Sequence, residues 1–368
     1  MAYVAARGGE AAILEAEAFF HALNGPLSPE RVRAVEEALP YLLDRLMGEA
    51  SLYAPELAAL ALAQTGGELY EATLLLRAYR TTQPRLGYAQ VTEQGELLTV
   101  RRISAAFKDI PGGQVLGPTL DYSHRVLDLG VVQRGETREA VVKSAPQPAP
   151  PTYPALADWQ RAAGLLPPVS AQDVPPEQIP DQTREPLLFP APRAALLQGL
   201  ARADTGGTLA LGYSIMRGYG LIHPTVNEVR LGYADVRVTH PGTGAVFSAG
   251  RVRVSQAEIV TEFAGNGARP ELALGFSATL GWNEVKTIAA ATLDMNMNRQ
   301  EASGAPTHPA HTPEFVLYHT EGVEASGFCI HFKLPHYVTF QSALEAMRQV
   351  RADPGGVNRG VPDAGVKP

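Results

Sequence analysis

The chain is 368 residues long, with 45% hydrophobic and 19% charged residues, proportions of a globular protein that exclude disordered, collagen-like and coiled-coil classes. Its 31 Lys and Arg against 38 Asp and Glu leave a formal charge of −7, so no global attraction draws it to nucleic acid or anionic lipid, and any phosphate site has to be local. A single cysteine, Cys329, excludes an intrachain disulfide framework and a Cys-only zinc site and suits a reducing cytoplasm.

Glu10, Glu15 and Glu17 interrupt the first apolar stretch, which therefore does not fit a signal peptide, and no apolar run reaches the length of a membrane span. Helical spacing runs through Ala11 to Leu23 and again from Val32 to Met47, behind Ser28 as N-cap and Pro29 at the first helical position. Further helices are expected from Pro55 to Thr65, stopped by Gly66 and Gly67, and from Glu68 to Arg80, with Pro84 limiting extension. Alternation over 88–103 around Gln94 and Gly95 predicts a hairpin, followed by an irregular loop with Gly112, Gly113 and Gly117 and a short helix over Thr119 to Leu129.

Residues 133–192 are rich in Pro and Ala and read as a linker or a surface excursion. Beyond them, 208–216, 228–239 and 246–254 alternate as strands do, and 282–298 has a helical pattern. EFVLYHT and GFCIHFKL then bracket a turn, Phe340 to Val350 form a closing helix, and the tail follows Pro354. Strands are not regularly separated by helices, so the expected class is α+β: a helical part with hairpin and loop over 1–132, the connector over 133–192, an α+β part over 193–352 and a tail over 353–368.

Four constellations could carry chemistry. His331 and His336 have a spacing that zinc sites use, and Pro335 between them favours a strand end and loop, with Cys329 and His331 on one strand face; one packed and one capping histidine is the alternative. Arg77, Arg80, Arg101, Arg102 and Lys108 are the densest cationic group, suited to phosphate oxygens, or equally to a solvated helix face. Asp121 and His124, three apart on the expected helix, could pair as carboxylate and imidazole, or form an ordinary surface ion pair. Arg217 and His223 flank a glycine-rich turn, while Gly112-Gly113-Gln114 lacks the lysine and spacing of a phosphate-binding loop.

Four colinear blocks, LLLRAYRTT (74–82), RRISAAFKDIPGGQVLGPTLDYSHRVLD (101–128), RGYGLIHP with NEVRLGYADV (217–236) and EFVLYHTEGVEASGFCIHFKLPHYVTFQ (314–341), resemble the I subunit of the bacterial carbon-phosphorus lyase core complex. The resemblance implies transfer of the ribose triphosphate of ATP onto methylphosphonate with release of adenine, performed with partner subunits G, H and L. For the chain acting alone it implies hydrolysis of purine nucleoside triphosphates. It also implies a zinc ion on His331 and His336 at an interface with the J subunit; the cytoplasm is the compartment expected from the single cysteine and from a first stretch that does not fit a signal peptide. On that basis Asp121 is cast as the carboxylate near the sugar and His124 as the acid. Arg77, Arg80, Arg101, Arg102, Lys108, Gln114, Arg217 and His223 are cast as substrate-binding residues. Cys329-Ile330 and Leu221-Ile222 depart from the family pattern. The competing reading is a non-catalytic scaffold that lends two histidines to a shared metal site.

Overall fold

The structure is a computed structural model, and it describes residues 9–137, 151–169, 178–217, 223–263, 271–303, 306–334 and 336–352. Their helices and four-stranded antiparallel sheet make an α+β fold, as expected, in two compact units, one of residues 27–325 and one formed by 9–26 with 326–352. Among the described residues no helix is long and apolar enough to cross a membrane.

The larger unit opens with four helices: α2 (Pro29–Ala38), α3 (Pro40–Ala50), α4 (Pro55–Gln64) and α5 (Leu69–Thr81). Ser28 caps α2 by accepting from the Arg31 amide at 3.3 Å. The single helix expected over Val32 to Met47 is broken before Pro40, which has no N–H to donate and forces Leu39 out of helical geometry at φ −125°, ψ 43°. Gly66 and Gly67, at φ +65° and +94°, end α4 as expected. Leu43, Leu46, Met47, Ala58, Leu62, Ala72 and Leu76 fill the core among these helices.

The sheet runs in the order β1 (Leu98–Ile103), β2 (Thr225–Thr239), β3 (Val246–Phe263), β4 (Glu271–Leu280). The hairpin expected over 88–103 does not form: Gln94–Glu96 is a 3-10 turn closed by reciprocal Glu93 and Glu96 bonds, and β1 pairs with the distant β2, Arg102 opposite Arg230. The expected strand over 208–216 is helix α9 (Thr205–Arg217). Asp204 accepts from the Gly207 amide at 2.6 Å, and Thr205, Thr208, Gly212 and Ile215 are buried, a helical rather than a period-two set. Short apolar runs cannot declare their period by themselves, and the cap decides this one.

One sheet face packs on α10 (Glu284–Ser303) through Val229, Ala257, Ile259, Ala291 and Met295. Gly275 makes that approach possible, since a Cβ there would lie 2.1 Å from the Ala291 carbonyl oxygen. The other face is polar and buried, and carries Arg102, Glu228, Arg230 and Glu258 under residues 94 and 153–160. Part of the Pro-rich stretch is thus core rather than surface: Ala155, Leu156, Ala157 and Gln160, at and within α7 (Leu156–Ala162), are buried.

The larger unit is completed by α6 (Leu129–Arg134), α8 (Arg193–Arg202) and α11 (Pro313–His319). In the smaller unit α1 (Gly9–Asn24) and α13 (Tyr337–Ala352) bury no residue; α12 (Gly322–His331) crosses the unit boundary and buries none either. The EFVLYHT and GFCIHFKL stretches are helical, α11 and α12, so Cys329 and His331, two residues apart, lie on different sides of a helix and not on one strand face.

Candidate functional site

Helix α5 presents Arg77 and Arg80, three residues apart, to the end of α3. Arg77 donates from Nε and Nη2 to the Glu49 carbonyl at 3.1 and 2.8 Å and from Nη1 to the Glu321 carboxylate at 2.5 Å. Arg80 donates from Nη1 to the Ala50 carbonyl at 2.6 Å. Cations on the last carbonyls of a helix satisfy acceptors with no intrahelical partner and complement its dipole. Beyond that contact Arg80 lines an open cavity of about 900 Å³ together with Arg85, Leu86, Tyr88, Asp181 and Arg184.

Arg202 is drawn into the same neighbourhood and donates to the Gln182 carbonyl; burial, then repulsion from Arg77, bring its guanidinium down to about 10. Burial and Arg77 push Arg80 down as well. Asp181 accepts from Arg85 and from the Thr183 hydroxyl at 2.6 Å; burial raises it, but these partners bring it below the ordinary carboxylate range. Arg85, Asp181, Arg184 and Arg202 were not among the residues expected from sequence. Two of them, Asp181 and Arg184, sit in the Pro-rich stretch, where only the polar run Asp181 to Arg184 was there to be noticed.

Arg101 and Arg102 lie inside the fold and not at a ligand surface. Arg101, about 1% exposed, donates to the Glu284 carboxylate at 2.9 and 3.1 Å, to Asp121 at 2.6 Å and to the Leu116 carbonyl at 2.5 Å. Burial opposes its charge, but Glu284 and Asp121 outweigh that and raise it. Arg102, fully buried, ion-pairs with Glu228 and donates to the carbonyls of Pro111, Gly113 and Pro154. Period-two alternation sends these neighbouring side chains to opposite sheet faces, so they could not have formed one clamp.

The segment 119–128 turns and bends without forming the expected helix. Thr119 Oγ1 accepts from the Asp121 amide at 3.0 Å and Ser123 Oγ donates to the Leu120 carbonyl at 2.9 Å, local bonds that compete with a helix ladder. Asp121 is half exposed and held by Arg101; His124 is exposed and forms no hydrogen bond with Asp121. Gln114 ties the preceding loop together, its amide nitrogen on the Lys108 carbonyl and its oxygen on the Ser104 amide, both at 3.0 Å, which leaves the Lys108 side chain exposed. Arg217 is exposed at the end of α9, its guanidinium 6.0 Å from the Tyr213 ring centre, and His223 is exposed; Leu221 and Ile222 lie outside the described residues.

In the smaller unit His331 closes α12 and His336 immediately precedes α13. Their Nε2 atoms face each other at 3.2 Å, about the separation of two imidazole ligands on one tetrahedral zinc with ~2.0–2.1 Å bonds. His336 Nδ1 lies 2.5 Å from the Leu334 carbonyl, the kind of outer contact that fixes a ligating tautomer. The residues fit two positions of a metal site; among the described residues no third His, Cys, Asp or Glu joins them. Pro335 lies outside the described residues.

Comparison with known proteins adds a family to this geometry. The chain is 44% identical over 360 residues, 95% of each chain, to HtxH of Stutzerimonas stutzeri, provisionally named a C-P lyase subunit protein. It is 38% identical over 366 residues, 98% of each chain, to the alpha-D-ribose 1-methylphosphonate 5-triphosphate synthase subunit PhnI of Rhizobium meliloti. With the protein of that name in Escherichia coli it shares 39% over 356 residues, 95% of this chain and 99% of that one. The model of the bacterial phosphonate metabolism protein family (PhnI) matches residues 2–354, and the chain belongs to that family.

Proposed function

We propose that this chain is a subunit of the enzyme that transfers the ribose 5-triphosphate group of ATP to methylphosphonate, giving α-D-ribose 1-methylphosphonate 5-triphosphate and adenine. What supports it is the near end-to-end match to two relatives named for that synthase. In the reaction the bond from C1′ to the purine nitrogen breaks, a phosphonate oxygen bonds to C1′, and the departing adenine takes up a proton. The transition state resembles an oxocarbenium ion and calls for a carboxylate near the sugar, an acid near the base and cations on the triphosphate. Asp121 suits the first role: the buried Arg101 guanidinium holds one of its oxygens at 2.6 Å and aims the group, while half its side chain stays open to solvent. His124, three residues on and exposed, can reach outward as the acid. The proposed partners are the G, H and L subunits for this step and the J subunit for the later one.

Asp121→Asn is expected to lower adenine release by the chain reconstituted with its G, H and L partners about 100-fold or more. The fold should survive, because Arg101 retains Glu284 and Leu116. Unchanged turnover would remove Asp121 from the mechanism; no adenine release by the wild-type assembly would remove the reading itself.

The same reading includes zinc on His331 and His336, with the remaining positions filled by another chain or by water. When bound, zinc would supply Lewis acidity or fix an interface. Replacing either histidine by alanine should cut the zinc content of the assembled complex, measured by atomic absorption, without loss of fold, since both side chains are exposed. Full zinc retention in both variants would show that the ion sits elsewhere.

A further inference from the structure

We propose that the cavity beside α5 holds the polyphosphate chain of a nucleoside triphosphate, with Arg80, Arg85 and Arg184 as its anchors, an assignment that rests on the reading above that such a triphosphate is the substrate. Five guanidinium groups, those of Arg77, Arg80, Arg85, Arg184 and Arg202, are grouped at or just behind one cavity wall. Two carboxylates answer them: Glu321 is taken by Arg77 and Asp181 by Arg85. Arg80 and Arg202 donate to backbone carbonyls alone, and Arg184 has no carboxylate within ion-pairing distance among the described residues. Two unmatched positive charges, Arg80 and Arg184, therefore line the cavity with Arg202 behind them, in a chain whose net charge is −7.

Gathering like charges in a confined space is unfavourable: burial is the first cause of the lowered basicity of Arg80 and Arg202, and repulsion from Arg77 adds to it in both. A ligand that brings several negative charges on closely spaced oxygens relieves it. Planar guanidinium forks match phosphate oxygens two at a time, which favours a chain of phosphates over a single carboxylate. The volume, about 900 Å³, lies in the upper part of the range of small-molecule sites and exceeds what a single phosphate fills. Leu86, Tyr88, Ile179 and Pro180 supply an apolar edge on which a nucleoside can lie. The Tyr88 ring is positioned for this by Arg85, whose guanidinium carbon stands 4.9 Å from its centre.

The test uses the full-length chain, with tripolyphosphate, orthophosphate and adenosine as separate calorimetric probes. Arg85→Ala and Arg184→Ala truncate side chains at the cavity mouth, so the fold is expected to persist; Arg33→Ala, an exposed arginine beside Glu30, is the control. Each cavity variant should weaken tripolyphosphate about tenfold to hundredfold, Arg184→Ala should leave adenosine unchanged, and wild type should bind tripolyphosphate far more tightly than orthophosphate. Equal tripolyphosphate binding by wild type and both cavity variants overturns the assignment, as does orthophosphate binding as tightly as tripolyphosphate. The adenine-release assay is read separately. If these variants lose tripolyphosphate while no assembly releases adenine, the cavity assignment stands and the proposed reaction falls.

Discussion

Replacing Arg102 by alanine is expected to destabilise the larger unit by about 3–5 kcal/mol, the usual consequence of stripping one partner from a buried ion pair. Arg102 and Glu228 are both inaccessible to solvent. Around them lies a continuous polar network. Gln94 donates to Glu228 at 3.1 Å and to Glu258 at 2.9 Å, and Asn227 donates to Glu258 at 2.7 Å and to Gln160 at 2.9 Å. Arg230 donates to the Gln94 carbonyl at 3.0 Å and the Tyr153 carbonyl at 2.9 Å. Burial, together with Glu228, pushes the Glu258 carboxyl up, so the network already sits at the edge of what it can hold as charge. Without Arg102, Glu228 keeps Arg230 alone as a cation, and the carbonyls of Pro111 and Gly113 lose this donor, while Pro154 retains Arg230. Urea unfolding followed by the fluorescence of Trp159 and Trp282 reads the loss, with Trp159 on α7 next to the network. Replacing Arg102 and Glu228 together by Met and Leu should recover only part of it, because the uncompensated Glu228 charge is then gone but buried Arg230 loses its carboxylate partner. A loss under about 1 kcal/mol combined with weakened ATP binding would return Arg102 to the phosphate holders.

That arginine shows where sequence reading stops. Its charge is visible in the chain, but its partner Glu228 is 126 residues away, and for Arg101 the partner Glu284 is 183 residues away. Local chemistry was legible wherever it is self-contained: Ser28 before Pro29 starts a helix, Gly66-Gly67 stops one, and the long alternation of 228–239 and 246–254 is a strand pair. Runs of about seven to ten apolar residues were not, since 208–216 and 314–331 turn out helical through caps and packing that lie outside the run. The candidate cavity was half legible. Arg80 stands out on its helix, whereas Arg184 belongs to a stretch whose Pro content reads as a connector and whose core residues, such as Leu156, carry no periodic signal. The colinear blocks identify a family; they do not say which of its charges face each other.

Lys286→Met is expected to stabilise the protein at neutral pH, by about 1–3 kcal/mol, and to lose that advantage as the pH rises toward the ordinary lysine range. The Lys286 ammonium is buried in the first turn of α10, donates to the Ala201 carbonyl at 2.7 Å, and is brought down to about 8 by burial despite the attraction of Glu49 and Asp204. In the unfolded chain a lysine titrates near ~10.4. Below the folded value both states carry the proton and the full penalty of burying the charge is present. Between the two values the unfolded state binds more protons, so the penalty fades and stability rises with pH. The interval corresponds to about 3 kcal/mol, from which the lost bond to Ala201 subtracts. Glu49 and Asp204 do not become orphans, because Arg45 donates to them at 2.8 and 3.1 Å, and Glu49 also accepts from Thr205. The measurement is the stability difference between variant and wild type, by urea unfolding at about pH 7 and about pH 9.5, which cancels every other titrating group the two share. A difference that does not shrink between those pH values, or a variant less stable at neutral pH, would show that the ion pairing with Glu49 and Asp204 outweighs desolvation and that the lysine stabilises the junction of α3, α8 and α10.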